Sequence, residues 1–244
     1  MKKIKKITTR VLFTLLILTP VVAFAHYLIF PEETRCILIG YSIFKKEGRL
    51  YFNPNSSAIK LGALKSIIRQ ATTRVDAFWG KETGNPKFIY CNTDEEFTKY
   101  GNNRSDPATT HFKLGAYIVV RDEGADLDII SHEMTHAALG ESAGFFNWTF
   151  KIPVWFNEGL AMQNDYRNFF SEDTLKARSD NYRNLPNIKS IITAAQFYGG
   201  SPAQVKLNYL TARHEVKNWY TKDKLDKLLK DLKSGKSFEE AYGK

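Results

Sequence analysis

Cysteine is nearly absent: Cys36 and Cys91 are the only two in 244 residues. That is too few for a disulfide scaffold or an all-cysteine zinc cluster. Eight prolines and fifteen glycines exclude a collagen-like or low-complexity chain. Acid is missing from the first 25 residues, which carry Lys2, Lys3, Lys5, Lys6 and Arg10. Setting them aside leaves 30 basic against 26 acidic residues, so the net charge of +9 falls to +4. A balance of that size is ordinary for a soluble domain and argues against a nucleic-acid partner. What the chain does have is 43% hydrophobic and 14% aromatic residues, enough to build a packed core.

The N-terminus reads as an export signal. Met1–Arg10 is basic, Val11–Ala25 is uncharged and mostly apolar, and Ala23-Phe24-Ala25 is a small-residue cleavage pattern. This is the order of a secretory signal peptide. Extended through His26 and Tyr27 to Phe30, the run reaches the length of a membrane span, with the basic end held cytoplasmic. Residues 1–25 are therefore read as a signal peptide or an anchor, with a membrane tether through residues 11–30 as the second form. Both place the remainder, a single domain over residues 37–244, outside the cytoplasm, whether periplasmic, secreted or membrane-anchored. In an oxidising compartment Cys36 and Cys91 can pair or stay as small hydrophobes, and spacing alone does not decide between them.

Strand-like runs occur at Tyr41–Phe44 and Arg49–Phe52 around a turn at residues 45–48, and at Ile37–Ile39, Lys87–Cys91 and Ala116–Val120. Ser56 or Ser57 opens a long amphipathic helix that Gly80 stops. Thr93–Glu96 is a capping box for a short helix ending near Gly101, and Gly101–Thr110 reads as a polar loop. Helices follow over Leu127–Leu139, over Val154–Gln163 and from Ser201 almost to the end, with Thr221 and Ser237 as later caps. Lys217–Lys236 alternates lysines with Asp and Leu, as a solvated helix face does. The expected fold is α+β: a small mixed sheet with helices, then a mainly helical C-terminal half.

Residues 132–136 read His-Glu-Met-Thr-His, the H-E-x-x-H pattern on a predicted helix. At about 100° per residue the two imidazoles lie within about 40° of each other, and Glu133 about 60° from His136. Leu127, Ile130, Met134, Ala137 and Ala138 form a stripe on the other side of the same helix. Neutral imidazoles one turn apart can chelate Zn²⁺, a third protein ligand completes the set and one position stays open. The metal acidifies water there, and Glu133 is placed to take the proton. For the third ligand, Glu158 lies 22 positions after His136 on the next predicted helix, in Trp155-Phe156-Asn157-Glu158-Gly159-Leu160-Ala161. Gly159 and Ala161 are small enough to let that helix pack closely on the first.

This run resembles the W-L-N-E-G-F-A run of the aminopeptidase N-like metallopeptidases, and with His132-Glu133-x-x-His136 the chain looks like a gluzincin of the peptidase MA-like group. The resemblance spans about residues 116–163. It implies a zincin-like fold, His132, His136 and Glu158 as zinc ligands, Glu133 as catalytic base, and a peptide or protein substrate. The strand Ala116–Val120 would line the cleft and pair with an extended peptide. The gap from His136 to Glu158 is a few residues longer than in the aminopeptidases, and Gly115-Ala116-Tyr117-Ile118 lacks the G-A-M-E-N motif whose Glu holds a free amino terminus. The metzincin extension is absent too, with Leu139 and Ser142 at its places.

Tyr209 is the candidate donor to the oxyanion, against the alternative that it is core, since it shares an apolar stripe with Val216, Trp219 and Tyr220. His111 and His214 read as surface or structural residues, and Phe145, Phe146, Trp148 and Phe150 as core. The expected function is an exported zinc-dependent endopeptidase. The rival is a non-catalytic zincin-like domain that binds peptides or proteins at the cell envelope.

Overall fold

The computed structural model describes residues 16, 18–80, 83–102 and 106–243. The basic segment Met1–Arg10 and the start of the apolar run, residues 11–15 and 17, lie outside the described residues. Residues 18–29 are helical. No described helix is long and apolar enough to cross a membrane.

The fold is α+β, 64% helical with a small mixed five-stranded sheet. Helix α1 (Pro31–Ile37) leads into strands β1 (Lys45–Glu47) and β2 (Leu50–Phe52). Next come helix α2 (Ala58–Trp79), strand β3 (Lys87–Tyr90), helix α3 (Asp94–Tyr100), and strands β4 (Ala108–Phe112) and β5 (Ala116–Val120). The sheet order is β1-β2-β3-β5-β4, parallel through β2, β3 and β5 and antiparallel at both edges. Helices then follow without further strands: α4 (Leu127–Ala143), α5 (Phe145–Phe150), α6 (Val154–Ala161), α7 (Glu172–Arg178), α8 (Ala194–Tyr198), α9 (Pro202–Trp219), α10 (Lys222–Lys233) and α11 (Phe238–Tyr242).

The period-2 alternation of a strand divides the core into two layers. Phe88, Tyr90, Ala116, Ile118 and Val120 join the main cluster with α2 and α4. Ile89, Cys91, Tyr117 and Val119 point the other way, into a second cluster with Cys36, Phe97 and Tyr100. Every residue of β5 is buried, as expected for a strand covered on both faces. Helix α2 starts at Ser57 and stops at Gly80, which adopts the left-handed φ of +65° that a non-glycine residue avoids. Thr93, Ser201, Thr221 and Ser237 each cap the expected helix. On α10 the leucines Leu225, Leu228, Leu229 and Leu232 are buried, while Lys222, Lys224, Lys227, Lys230 and Lys233 are exposed.

Five expectations need correction. The first hairpin strand is Lys45–Glu47, not Tyr41–Phe44, because Gly48, at φ +59°, makes a two-residue turn with Arg49 and draws residues 45–47 into pairing with Leu50–Phe52. Residues 37–39 are not a strand: Pro31 at a helix start and acidic Glu32 and Glu33 in the first turn favour α1 there. That helix is docked on the domain, where Arg35 donates to the Lys99 carbonyl and Cys36 Sγ to that of Tyr100. Cys36 and Cys91 are buried free thiols in one cluster, with burial raising both pKa values. The end of the expected polar loop, residues 108–110, belongs to β4.

The fifth concerns Gly159, which meets α9 rather than α4. A Cβ at Gly159 would lie 2.4 Å from the Ala212 carbonyl oxygen and 2.6 Å from Val216 Cγ2. Gly159→Ala should therefore cost about 1–3 kcal/mol, the usual penalty for overpacking, which at this size is about 2–4 °C of melting temperature per kcal/mol. Gly62, in the interior of α2, has no atom within 4 Å of an added Cβ. Gly62→Ala should raise stability by about 0.5–1 kcal/mol. Thermal denaturation of the two variants checks both directions, and equal melting temperatures would disprove the contrast.

Candidate metal centre

Helix α4 begins at Asp126, whose carboxylate accepts from the backbone amides of Asp128 and Ile129. It lies against the sheet through Ile130, Met134, Ala137 and Ala138, close enough to β4 that a Cβ on Gly140 would sit 2.6 Å from the Phe112 ring. The face turned from this core carries His132, Glu133 and His136. Helix α6 packs across α4, held from behind by α9, and brings Glu158 over the same point.

The three groups converge. His132 Nε2 and His136 Nε2 are 3.0 Å apart, and Glu158 Oε2 lies 3.3 Å from the first and 3.6 Å from the second. All three residues are buried, and together they can hold a metal ion. The donor set itself carries that conclusion. Two imidazole nitrogens point at each other, and Glu158 Oε2 is buried with no hydrogen-bond partner. A buried carboxylate oxygen that accepts no hydrogen bond is costly, and a cation held by the three atoms satisfies all of them at once.

The outer atoms of the ligands are held separately. His136 Nδ1 is 2.9 Å from Asn157 Oδ1, the residue next to Glu158. Glu158 Oε1 accepts a hydrogen bond from the Tyr198 hydroxyl at 2.5 Å. His132 Nδ1 faces Asp165 Oδ2 at 3.8 Å, and Asp165, fully buried, is clamped by Arg167. Partners of this kind fix the ring orientation and basicity of metal ligands. Glu133 Oε2 accepts from Thr110 Oγ1 at 2.7 Å, so an edge strand sets the rotamer of the expected base.

Electrostatics follow the geometry. Burial alone would raise the pKa of Glu158, but the imidazoles of His136 and His132 overcome it and keep the carboxylate ionised. Burial would lower that of His136, and the Glu158 charge reverses it. Burial foremost, and then Glu158, push Tyr198 and Tyr209 well above the ordinary phenol value, so both remain O–H donors. A hydrogen bond also joins the two phenols.

These groups line an open cavity of about 830 Å³. One wall is Asp106–Thr110 of β4 and the segment before it, the floor is His132, Glu133, His136 and Glu158, and Arg167, Phe170, Tyr198 and Tyr209 close the far side. Strand β4 stands at the sheet's edge, paired among the described residues with β5 alone. It is β4, not Ala116–Val120, that lines the cleft: β5 is enclosed between β3 and β4. Tyr209 lies on the cavity wall and also packs on Phe170 and Phe197. His111 and His214 are elsewhere, the first bonded to the Tyr100 carbonyl, the second to Glu172. Phe146 and Phe150 are exposed, not core, because α5 buries none of its residues, whereas Trp148 lines the cavity. Tyr198, Asp165 and Thr110 were not visible as site residues in the sequence; Thr193 and Gln196, a capping box opening α8, were the nearest signal.

Compared with known proteins, the chain matches no family model, no curated protein and no solved structure.

Asn157→Ala and Tyr198→Phe each remove one bond to a ligand while sparing the ligand. Each is expected to weaken metal binding about 10–100-fold, as loss of such partners does elsewhere. Competition titration against a chelator of known affinity measures this, and wild-type affinity in both variants would refute the assigned roles.

Proposed function

We propose that the chain is an exported zinc-dependent endopeptidase with a zincin-like fold of the gluzincin kind. The observation that carries the reading is the convergence of His132, His136 and Glu158 in one open cavity, with Glu133 on the same helix turned to that cavity. Two nitrogens and one oxygen from the protein, with an open side, are the donor set that zinc takes in catalytic sites. When bound there, zinc supplies Lewis acidity: it acidifies water and polarises a carbonyl.

The remaining roles fall to the chain itself. Glu133, oriented by Thr110, accepts the proton of the attacking water and returns it to the leaving amine. Tyr209, protonated and on the cavity wall, is the donor to the oxyanion, with Tyr198 bracing both it and Glu158. The free edge of β4 offers main-chain donors and acceptors to an extended substrate, as strand addition requires. A substrate peptide laid along residues 107–110 runs past Glu133.

Endopeptidase action is favoured by the residue at position 118. Where the aminopeptidase motif would place its amine-binding Glu after Gly115-Ala116-Tyr117, this chain has Ile118, buried in the main core cluster. Export rests on the basic and apolar order of residues 1–25.

Metal analysis and a protease assay test the proposal together. Glu158→Ala should lower zinc occupancy, whereas Glu133→Gln should keep the metal and lose turnover. A peptide blocked at its amino end should be cut internally; trimming of free amino termini alone would contradict the endopeptidase assignment. Wild-type activity in Glu133→Gln would remove the catalytic reading, and full zinc without any peptide cleavage by the native protein would favour a non-catalytic binding domain.

Tyr209→Phe separates chemistry from packing, because it keeps the ring and deletes the hydroxyl. Loss of one oxyanion donor costs about 2.7–4 kcal/mol elsewhere, about 10²–10³ in turnover. That fall is expected here with melting temperature and zinc content unchanged. Turnover near wild type would take Tyr209 out of the mechanism.

A further inference from the structure

Helix α5 connects the two ligand helices yet buries none of its six residues. Phe146 and Phe150 are 74% and 72% exposed, and their rings lie 6.1 Å apart, with Phe145 touching both. Three phenylalanines gathered on one exposed turn are not a core that failed to close. Trp148, on the inner side, is already packed 5.5 Å from Phe112, so α5 is seated and its outer face is presented.

A second apolar feature lies along the same contact path. Phe112 ends β4, and the tip that follows holds Lys113 and Leu114, the latter 72% exposed. Lys113 Nζ sits 2.8 Å from the centre of the Phe30 ring and 2.9 Å from Glu33 Oε1. Phe30 is the foot of the helix at residues 18–29, on which every described residue except His26 is exposed, among them Val22, Phe24, Leu28 and Ile29. A helix this short and this apolar is not expected to stand alone in water. Contacts of Phe30 with Lys113 and of Phe112 with Trp148 therefore link the N-terminal helix, the β4–β5 tip and α5.

Basic groups border this path. Lys151, the residue after α5, donates to the carbonyls of Leu232 and Lys236. This contact places the C-terminal end of α10, with exposed Lys233 and Lys236, beside Phe150. Aromatic side chains backed by lysines are the pattern of a segment lying in a lipid headgroup boundary.

We propose that Leu114, Phe145, Phe146 and Phe150 form a face that seats on an anionic lipid bilayer, continuous with the apolar N-terminal segment. The chemistry argues for lipid as occupant, since the N-terminal helix and this face need one apolar phase in common. The proposal is independent of the metal, because none of these four residues lines the cavity.

The test uses the full chain reconstituted in vesicles of phosphatidylcholine and phosphatidylglycerol. An environment-sensitive fluorophore is attached at Phe146→Cys, Phe150→Cys or Leu114→Cys, one at a time; Cys36 and Cys91 are buried. Ile59→Cys is the reference: Ile59 is 86% exposed and its neighbour Lys60 pairs with Asp122, past the other end of β5. The expected result is a blue-shifted emission at 114, 146 and 150, quenched by headgroup-region spin-labelled lipid, with water-exposed emission at 59. In Phe146→Ser/Phe150→Ser, lipid quenching at position 114 should drop while zinc content stays at the wild-type level. Water-exposed emission at 146 and 150 would overturn the proposal. So would burial there that lipid-borne quenchers do not reach, which would mark a second copy or a protein partner as the occupant.

Discussion

A carboxylate buried against two imidazoles is the constraint around which the helical half is arranged. Glu158 is nearly without solvent, and an ion in that position is tolerated only where opposite charge or hydrogen-bond donors meet both oxygens. Tyr198 meets Oε1 and the histidine pair meets Oε2. Neither partner is local to α6. Helix α4 must lie close enough to offer two rings one turn apart, and α8 must fold back across 40 residues of chain to deliver one hydroxyl. The contact between Gly159 and Ala212 then fixes how deep α6 can sink.

The sheet contributes rigidity on the other side. Its alternation sends Phe88, Tyr90, Ile118 and Val120 against α4 and leaves Ile89, Tyr117 and Val119 for a smaller cluster behind. Helix α4 is thus pressed between a sheet and a helical layer. On its His132–His136 face, Glu133 is met by Thr110 of β4.

How much of this was readable in advance depended on the range of the interaction. His132, Glu133 and His136 were visible because their geometry is set within one helix turn. Glu158 followed from Trp155–Ala161, a local run on the next helix. The caps at Ser57, Thr93, Ser201, Thr221 and Ser237 were visible for the same reason. Strand β4 was missed because Thr109, Thr110 and His111 are polar, as befits a strand whose outer edge faces an open cavity, and polarity without alternation reads as loop. Gly159 was noticed as small but assigned to the wrong neighbour, since a residue's size says that something approaches and not which element does. Tyr198 and Asp165 left no trace, because a buried tyrosine in a short helix and an acid in a turn acquire meaning only from groups far off in the chain. Phe146 and Phe150 were misread for the opposite reason: hydrophobicity reports that a side chain avoids water, not that the domain's own interior receives it.

The free edge at β4 has a further consequence under the proposed function. Main-chain amides and carbonyls are the same in every polypeptide, so a binding site built from them cannot tell one sequence from another. What it can tell is shape. A segment must be drawn out straight over several residues to lie along 107–110, and residues locked in a helix or a sheet already spend those groups on each other. Discrimination at this edge is therefore between slack chain and structured chain, and the degree of folding of a substrate, more than its composition, would decide whether it is admitted.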